Sequence, residues 1–290
     1  MRALASEVRT NERCRTRSSV SRYSSAVTGA DPFRVLFVGD VVGRPGRAAV
    51  KALLPRLKRE LEPNLVVVNG ENAAGGFGIT MATAAELFHA GANVLTTGNH
   101  VWDQKEFQVD IQREEYVLRP ANYPRGVPGR GVLELCVDGE SVLVIDLQGR
   151  TFMPPLDDPF RVVDEILAEH REPRIVIVDM HAEATAEKIA MGWHLDGRAS
   201  LVVGTHTHVP TADARVLEQG TAYVTDVGMV GPRDGVIGIK RQSSLARFIT
   251  GLPQRNEVAP GVVTFNSVLV TISRPTGRAQ TMQRVDRELA

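Results

Sequence analysis

Polar residues of metal-ligating type stand directly after short apolar runs five times in this sequence. VLFV is followed by Gly39-Asp40, LVVV by Asn69-Gly70-Glu71-Asn72, and NVLTT by Gly98-Asn99-His100. RIVIV runs into Asp179-Met180-His181, and SLVV into Gly204-Thr205-His206-Thr207-His208. The apolar runs read as buried strands. In open α/β sheets ligands bind outside the carboxyl ends of the strands, so five such tips can converge on one site. Four of the chain's seven histidines lie at these tips: His100, His181, His206 and His208. His206 and His208 are two residues apart, and an extended segment would turn both rings to one side. The donors are carboxylate and amide oxygens and imidazole nitrogens, without sulfur. That set suits Fe, Mn, Zn or Ni rather than copper(I) or an iron–sulfur cluster. Taken singly, each residue also has an ordinary reading as a turn residue or a core histidine. Taken in order, they predict a metal cage of Asp40, Glu71, Asn72, Asn99, His181, His206 and His208.

The elements that must position this cage alternate. After VLFVG comes GRPGRAAVKALLPRLKREL, whose Val50, Leu53, Leu54, Leu57 and Leu61 recur at helical spacing, with Pro55 a point where the helix would kink or break. LVVVNG reads as a strand buried on both faces. A helix over Met81 to Ala90 and the strand NVLTTG complete a β-α-β-α-β alternation, which argues for an α/β layered fold. VLELCV and SVLVIDL flank Asp138-Gly139 as a hairpin with a loop longer than two residues. A helix is expected from Pro159 to His170, strands at RIVIVDM and SLVVG, and a hairpin in ARVLEQGTAYVTD. GVVTFNSVLVTIS and RAQTMQRVD read as long antiparallel strands. The sum is one domain of two packed sheets with helices outside, spanning 33–290.

Residues 1–32 are different. They are rich in Arg and Ser and lack periodicity, the composition of a disordered leader. An organellar targeting segment or a start site placed too early would look the same. Lys+Arg and Asp+Glu each number 34 in the 290 residues, so the formal net charge is zero. That gives no global attraction to nucleic acid or anionic membrane. No apolar run approaches the ~20 residues of a membrane helix. The two cysteines, Cys14 and Cys136, are too few for a zinc–cysteine cluster and are not expected to pair, which fits a reducing cytoplasm.

Around the cage, His100 follows Asn99, with Asp103 one turn on as a group that could hold its ring. Gly75-Gly76-Phe77-Gly78 reads either as a mobile rim that approaches a substrate or as a plain connector. Phe77 could stack on a base. Arg44 and Arg47 could meet phosphate oxygens or could be solvated residues of a helix start.

In order and spacing, Gly39-Asp40, Gly98-Asn99-His100, the lone His181 and Gly204-Thr205-His206-Thr207-His208 resemble the motifs of calcineurin-like metallophosphoesterases. The chain departs from the common pattern at Val42, where that superfamily has a histidine, and at Gly70-Glu71-Asn72, where it has a bridging aspartate. With these departures, GDVVGRPGR, VVVNGENAAGGFGIT, TTGNHVWD, VDMHAEATAEK and VGTHTHVPTAD resemble the YmdB-like bacterial phosphodiesterases over residues 34–275. The resemblance implies a four-layer α/β/β/α sandwich with two packed mixed sheets. It implies two metals, most often iron, with Mn or Zn as alternatives. Asp40, Glu71, Asn72 and His208 would hold the first metal. Glu71 as bridge, Asn99, His181 and His206 would hold the second. The implied reaction is hydrolysis of 2′,3′-cyclic nucleotides at the 2′-oxygen to give 3′-nucleotides, by a hydroxide held between the metals, with His100 as proton donor. A phosphomonoesterase or protein phosphatase would use the same cage. An RNA-binding regulatory protein with secondary phosphodiesterase activity is the alternative of another class, favoured only by the Arg-rich leader. RNA contact and a homo-oligomer are compatible with the sequence and not specified by it.

Overall fold

The computed structural model describes residues 31–290. All but the last two residues of the expected leader, including Cys14, lie outside the described residues. In chain order, β1 (Phe33–Val38) leads through β2 (Asp40–Val41) into α1 (Gly43–Leu61). Strand β3 (Leu65–Asn69), helix α2 (Met81–Ala90), strand β4 (Val94–Thr96) and a short α3 (Phe107–Asp110) follow. Then come β5 (Val132–Val137), β6 (Glu140–Gln148), α4 (Pro159–Glu169), β7 (Ile175–His181), α5 (Thr185–His194) and β8 (Leu201–Thr205). The last third holds β9 (Arg215–Val216), β10 (Ala222–Val224), β11 (Met229–Pro232) and α6 (Arg241–Thr250). It closes with β12 (Val263–Phe265), β13 (Ser267–Ile272), β14 (Ala279–Arg284) and β15 (Arg287–Leu289).

Two mixed sheets stack, in the orders β14-β13-β1-β3-β4 and β5-β6-β7-β8-β10-β9. The period of two along each strand decides which core a residue joins. Phe33, Val35 and Phe37 of β1 and Leu65 and Val67 of β3 meet Val142, Val144, Ile175, Ile177, Leu201 and Val203 of the second sheet. The alternate residues Leu36, Val38, Val66 and Val68 pack instead on Leu53, Leu54 and Leu57 of α1 and Leu87 of α2. On the outer face of the second sheet, Leu143, Ile145, Val176 and Val178 pack on Val163 and Ile166 of α4 and Met191 of α5. The result is helices, sheet, sheet, helices. Burying one such side chain contributes about 1.5–3 kcal/mol, against a net stability of about 5–15 kcal/mol. A one-residue slip of β1 or β3 would exchange whole sets of these contacts, so the register is strongly fixed.

A third, four-stranded sheet, β15-β12-β11-β2, adds to the two expected ones. It exists because two chain segments change sheets side by side. The N–H of Gly39 donates to the carbonyl of Asn266 at 3.1 Å, where β1 gives way to β2 and β12 to β13. A Cβ on Gly39 would overlap the Gly228 carbonyl. The expected long strand through GVVTFNSVLVTIS is therefore two strands in two sheets.

Other local expectations fare differently. Helices α2 and α4 lie at the segments where helices were expected, and β9–β10 pair as a hairpin. Helix α1 continues through Pro55 without a break. Proline removes the bond to the carbonyl of Lys51, and Lys51 is exposed, so water can serve that carbonyl. The β5–β6 loop is two residues, not longer, because Glu140 pairs with Val137. Asp138 and Gly139 both have positive φ, 48° and 82°, as the turn favoured by right-twisted strands requires. Gly139→Ala is expected to cost about 1–2 kcal/mol, seen as a lower urea midpoint at unchanged slope. Among the described residues there is no free cysteine, contrary to the expectation of unpaired thiols at Cys136.

Candidate metal centre

The carboxyl ends of β1, β3 and β4 in one sheet and β7 and β8 in the other meet at one edge of the interface between the sheets. Polar cross-links tie them. Asp179 on β7 accepts from Thr96 Oγ1 on β4 (2.5 Å), from Asn69 Nδ2 on β3 (3.0 Å) and from Thr205 Oγ1 on β8 (2.7 Å). All four residues are fully buried.

Above this layer the seven predicted residues come together in two overlapping groups. In the first, His181 Nε2 lies 3.0 Å from Glu71 Oε1, 3.1 Å from Asn99 Oδ1 and 3.1 Å from His206 Nδ1. In the second, His208 Nε2 lies 3.1 Å from Asn72 Nδ2 and 3.8 Å from Asp40 Oδ1. Glu71 joins them, since its Oε1 also accepts from Asn72 Nδ2 at 3.2 Å. Gly98 permits this approach. A Cβ there would fall onto the His181 ring and the Glu71 carboxylate. Gly98→Ala is expected to displace one of them or cost about 1–3 kcal/mol, checked by Mn²⁺ stoichiometry together with urea unfolding.

Neighbouring acceptors select the ring nitrogen that each histidine presents. His181 Nδ1 lies 2.8 Å from Thr205 Oγ1, whose own proton goes to Asp179, so Nδ1 carries hydrogen and Nε2 faces the cluster. His208 Nδ1 donates to the Ile237 carbonyl at 3.0 Å, which leaves Nε2 as a lone pair. His206 is reversed: Nε2 lies 3.1 Å from Glu183 Oε2 and Nδ1 faces the cluster. Such outer partners fix the tautomer of ligating histidines. His206 and His208 do not converge in the way their spacing predicts. Strand β8 stops at Thr205, and both residues have positive φ, 95° and 64°. The rings converge through a folded loop, not through an extended segment. Backbone held in this region is strained and persists where its surroundings impose it.

Electrostatically the site is a buried cluster of carboxylates and imidazoles that shift one another's protonation. Burial pushes the Asp40 carboxyl well above its usual range. His181 opposes that rise, while Asp226, Glu71 and Asp179 add to it. Burial likewise raises Asp179 and, more strongly, Asp146, which lies beside Asp179 in the second sheet. For Glu71 burial acts the same way but is overcome by the charge and hydrogen bond of His181, and its carboxyl falls to about 2. Burial should depress His181, yet Glu71, Asp40 and Asp179 hold it up at about 9. Burial and the nearby His181 charge take His206 down to about 3. Asp40 Oδ1 is buried without a hydrogen-bond partner. An unpaired buried carboxylate oxygen costs free energy, and a cation in this pocket would satisfy it.

His100 stands beside the cage. Its N–H donates to Glu71 Oε2 (3.3 Å) and its Nδ1 pairs with Asp103 Oδ2 (2.8 Å). The Phe77 and His100 rings meet in a T-shaped contact, with centroids 5.0 Å apart. Phe77 sits in a closed turn in which Ala74 N–H donates to the Gly78 carbonyl. Gly75, Gly76 and Gly78 all have positive φ, so these glycines define a turn rather than an unstructured connector. Arg44 is exposed at the start of α1. Arg47 is not a freely solvated residue of the helix start. It bonds Glu86 Oε2 on α2 (2.8 Å) and the Ala73 carbonyl (2.5 Å), tying α1 to the chain just after Asn72. Asp146, Glu183, Lys188, Thr205 and Asp226 had no role in the cage expected from sequence. Asp179 and Thr205 at least lay inside the strand-tip motifs.

The sequence model of a family described as YmdB-like protein matches residues 36–285. The 2′,3′-cyclic-nucleotide 2′-phosphodiesterase of Bacillus subtilis is 51% identical over 254 residues, covering 87% of this chain and 96% of that one. A hypothetical protein from Thermus thermophilus superposes with a TM-score of 0.84 at 46% identity, covering 88% of this chain and 99% of that one. A structure described as a novel phosphatase from Mycoplasma pneumoniae gives 0.85 at 33% identity, covering 89% and 94%.

Proposed function

Because the chain belongs to the YmdB-like family, we propose that it is a metal-dependent phosphoric diester hydrolase that opens 2′,3′-cyclic nucleotides at the 2′-oxygen. Its fold is the layered α/β sandwich of metallophosphoesterases. The substrate class comes from the name of the B. subtilis relative. The observation that carries the metal is the buried, unpartnered Asp40 Oδ1 beside a Glu71 shared by two donor groups.

The residues fit two metal ions. Asp40, Asn72 and His208 Nε2 would hold one, Asn99, His181 Nε2 and His206 Nδ1 the other, and Glu71 both. Asn72 would take part by turning its amide so that oxygen replaces nitrogen, an exchange that leaves the shape unchanged. Iron is the proposed metal, and the donor set also suits Mn or Zn. When bound, such a pair supplies positive charge for the phosphate oxygens and an activated water for attack on phosphorus. The chain's own residues do the rest. The three sheets and the loops that leave their strands hold the donors in place before charge develops, as preorganised stabilisation requires. The departing 2′-oxygen is strongly basic and needs a proton. His100 donates it from Nε2, while Asp103 fixes Nδ1. Phe77 restricts water and ring motion on one side of His100.

A panel of 2′,3′-cyclic nucleotides, 3′,5′-cyclic nucleotides, a phosphomonoester and a phosphoserine peptide tests this reading with Mn²⁺ or Fe²⁺. Turnover of the 2′,3′ series is expected to dominate, and its absence would sink the proposal. The M. pneumoniae phosphatase makes the monoester arm the informative alternative. Metal analysis of protein purified without added metal is expected to give two equivalents per chain. Among the described residues no helix is long and apolar enough to cross a membrane. A cytoplasmic location is part of the proposal.

A further inference from the structure

Beneath the His206–His208 loop lies a charged pair that the proposed chemistry does not use. Lys188 of α5 is 1% exposed, and its Nζ donates to Asp226 Oδ2 at 2.7 Å. The same oxygen accepts from Thr207 Oγ1 (2.6 Å) and from the Thr207 N–H (3.2 Å). Asp226 Oδ1 accepts from the Gly228 N–H at 2.8 Å. The Gly228 carbonyl in turn accepts the N–H of Asp40 at 3.1 Å. One carboxylate thus grips Thr207, which stands between two cage histidines of positive φ, and the peptide that seats Asp40. A buried pair of this kind is weak evidence for stability, since apolar residues of similar size often serve as well. What it does here is oppose the outward relaxation of a strained loop. The fit is close: a Cβ on Gly204 would press on the Lys188 chain.

We propose that Lys188 and Asp226 are positioning residues for the metal centre, holding the His206-Thr207-His208 loop and Asp40 at the spacing that two metal ions require. Lys188 supplies the charge that lets a further carboxylate lie near Asp40, Glu71 and Asp179. Asp226 supplies four acceptor contacts that no neutral side chain of its size can reproduce. In Asp226→Asn, one of the two acceptor oxygens becomes an NH₂ group. That group would face either the Thr207 N–H or the Gly228 N–H, and one side of the clamp opens. This inference rests on the two-metal reading above.

The test uses the full chain and Mn²⁺, with free ion followed by EPR and the bound pair by its exchange-coupled spectrum. The Lys188→Met/Asp226→Asn double variant avoids leaving a buried charge alone. It is expected to melt cooperatively, to bind its weaker Mn²⁺ at least about tenfold less tightly, and to lose the coupled spectrum at metal levels that saturate the wild type. A role in stability alone would lower the melting temperature and leave affinity and coupling unchanged at room temperature, and that result overturns the inference. If the double variant does not fold, Thr207→Val decides. Loss of one hydrogen bond is expected to weaken the site about threefold, and unchanged affinity overturns the inference. Wild-type protein that binds fewer than two Mn²⁺ sinks the two-metal reading itself, a different outcome from a variant that matches a two-metal wild type.

Discussion

His100→Ala is expected to lower turnover of a 2′,3′-cyclic nucleotide by about 10²–10⁴-fold, the usual contribution of a positioned acid, while two metals stay bound. The geometry supports the separation. His100 bonds Glu71 through its backbone N–H, which alanine keeps, and its ring points to Asp103 instead of into the cage. The missing step is proton delivery to a basic 2′-oxygen. An aryl phosphodiester, whose leaving oxygen is weakly basic, is therefore expected to lose much less. Asp103→Asn is expected to show a smaller loss of the same kind, since it frees the ring without removing it. Metal analysis and paired kinetics on the two substrates check all of this. Equal losses on both substrates would mean that His100 shapes the site and does not act as the acid.

Glu71→Gln carries the other large effect. Glu71 touches both donor groups through one carboxylate oxygen, and it is fully buried. Changing it removes charge and keeps shape. Both metals are expected to bind at least about 100-fold more weakly, beyond the 10–100-fold typical of a partner one layer out. In the wild type, metal at a hundred times its dissociation constant adds about 2.7 kcal/mol of stability. The metal-dependent rise in melting temperature should therefore disappear in Glu71→Gln. Asp40→Asn alters a proposed ligand of one metal only, and is expected to leave one tight equivalent. Calorimetric titration with Mn²⁺ separates the two cases. A Glu71→Gln protein that still takes up two tight equivalents would remove Glu71 from the bridging role.

The sequence by itself determined the tips, three of the six helices among the described residues and the polar residues that meet at the tips. Each is written in near neighbours: apolar runs of about five residues, a glycine and a ligand-type residue close behind, and helical spacing in α1, α2 and α4. The resemblance to YmdB-like phosphodiesterases rested on the same short segments and agrees with the family found. Only the tertiary structure decided how the cage closes. Asp40 reaches the backbone of His206 across 166 residues, and Asn69 reaches Asp179 across 110. No local pattern encodes such pairs. The third sheet, which seats Asp40, arises where Gly39 meets Asn266 and Gly228, and nothing near Gly39 in sequence announces either partner. The rings of His206 and His208 point inward because Asp226, Ile237 and Glu183 hold a strained loop, not because the residues are two apart. Arg47 looked free in sequence because its acceptors, Glu86 and the Ala73 carbonyl, belong to segments that only packing brings near. The five strand tips thus named the residues that gather at this edge, and long-range packing assigned each histidine its ring nitrogen and each residue its neighbours and its side of Glu71.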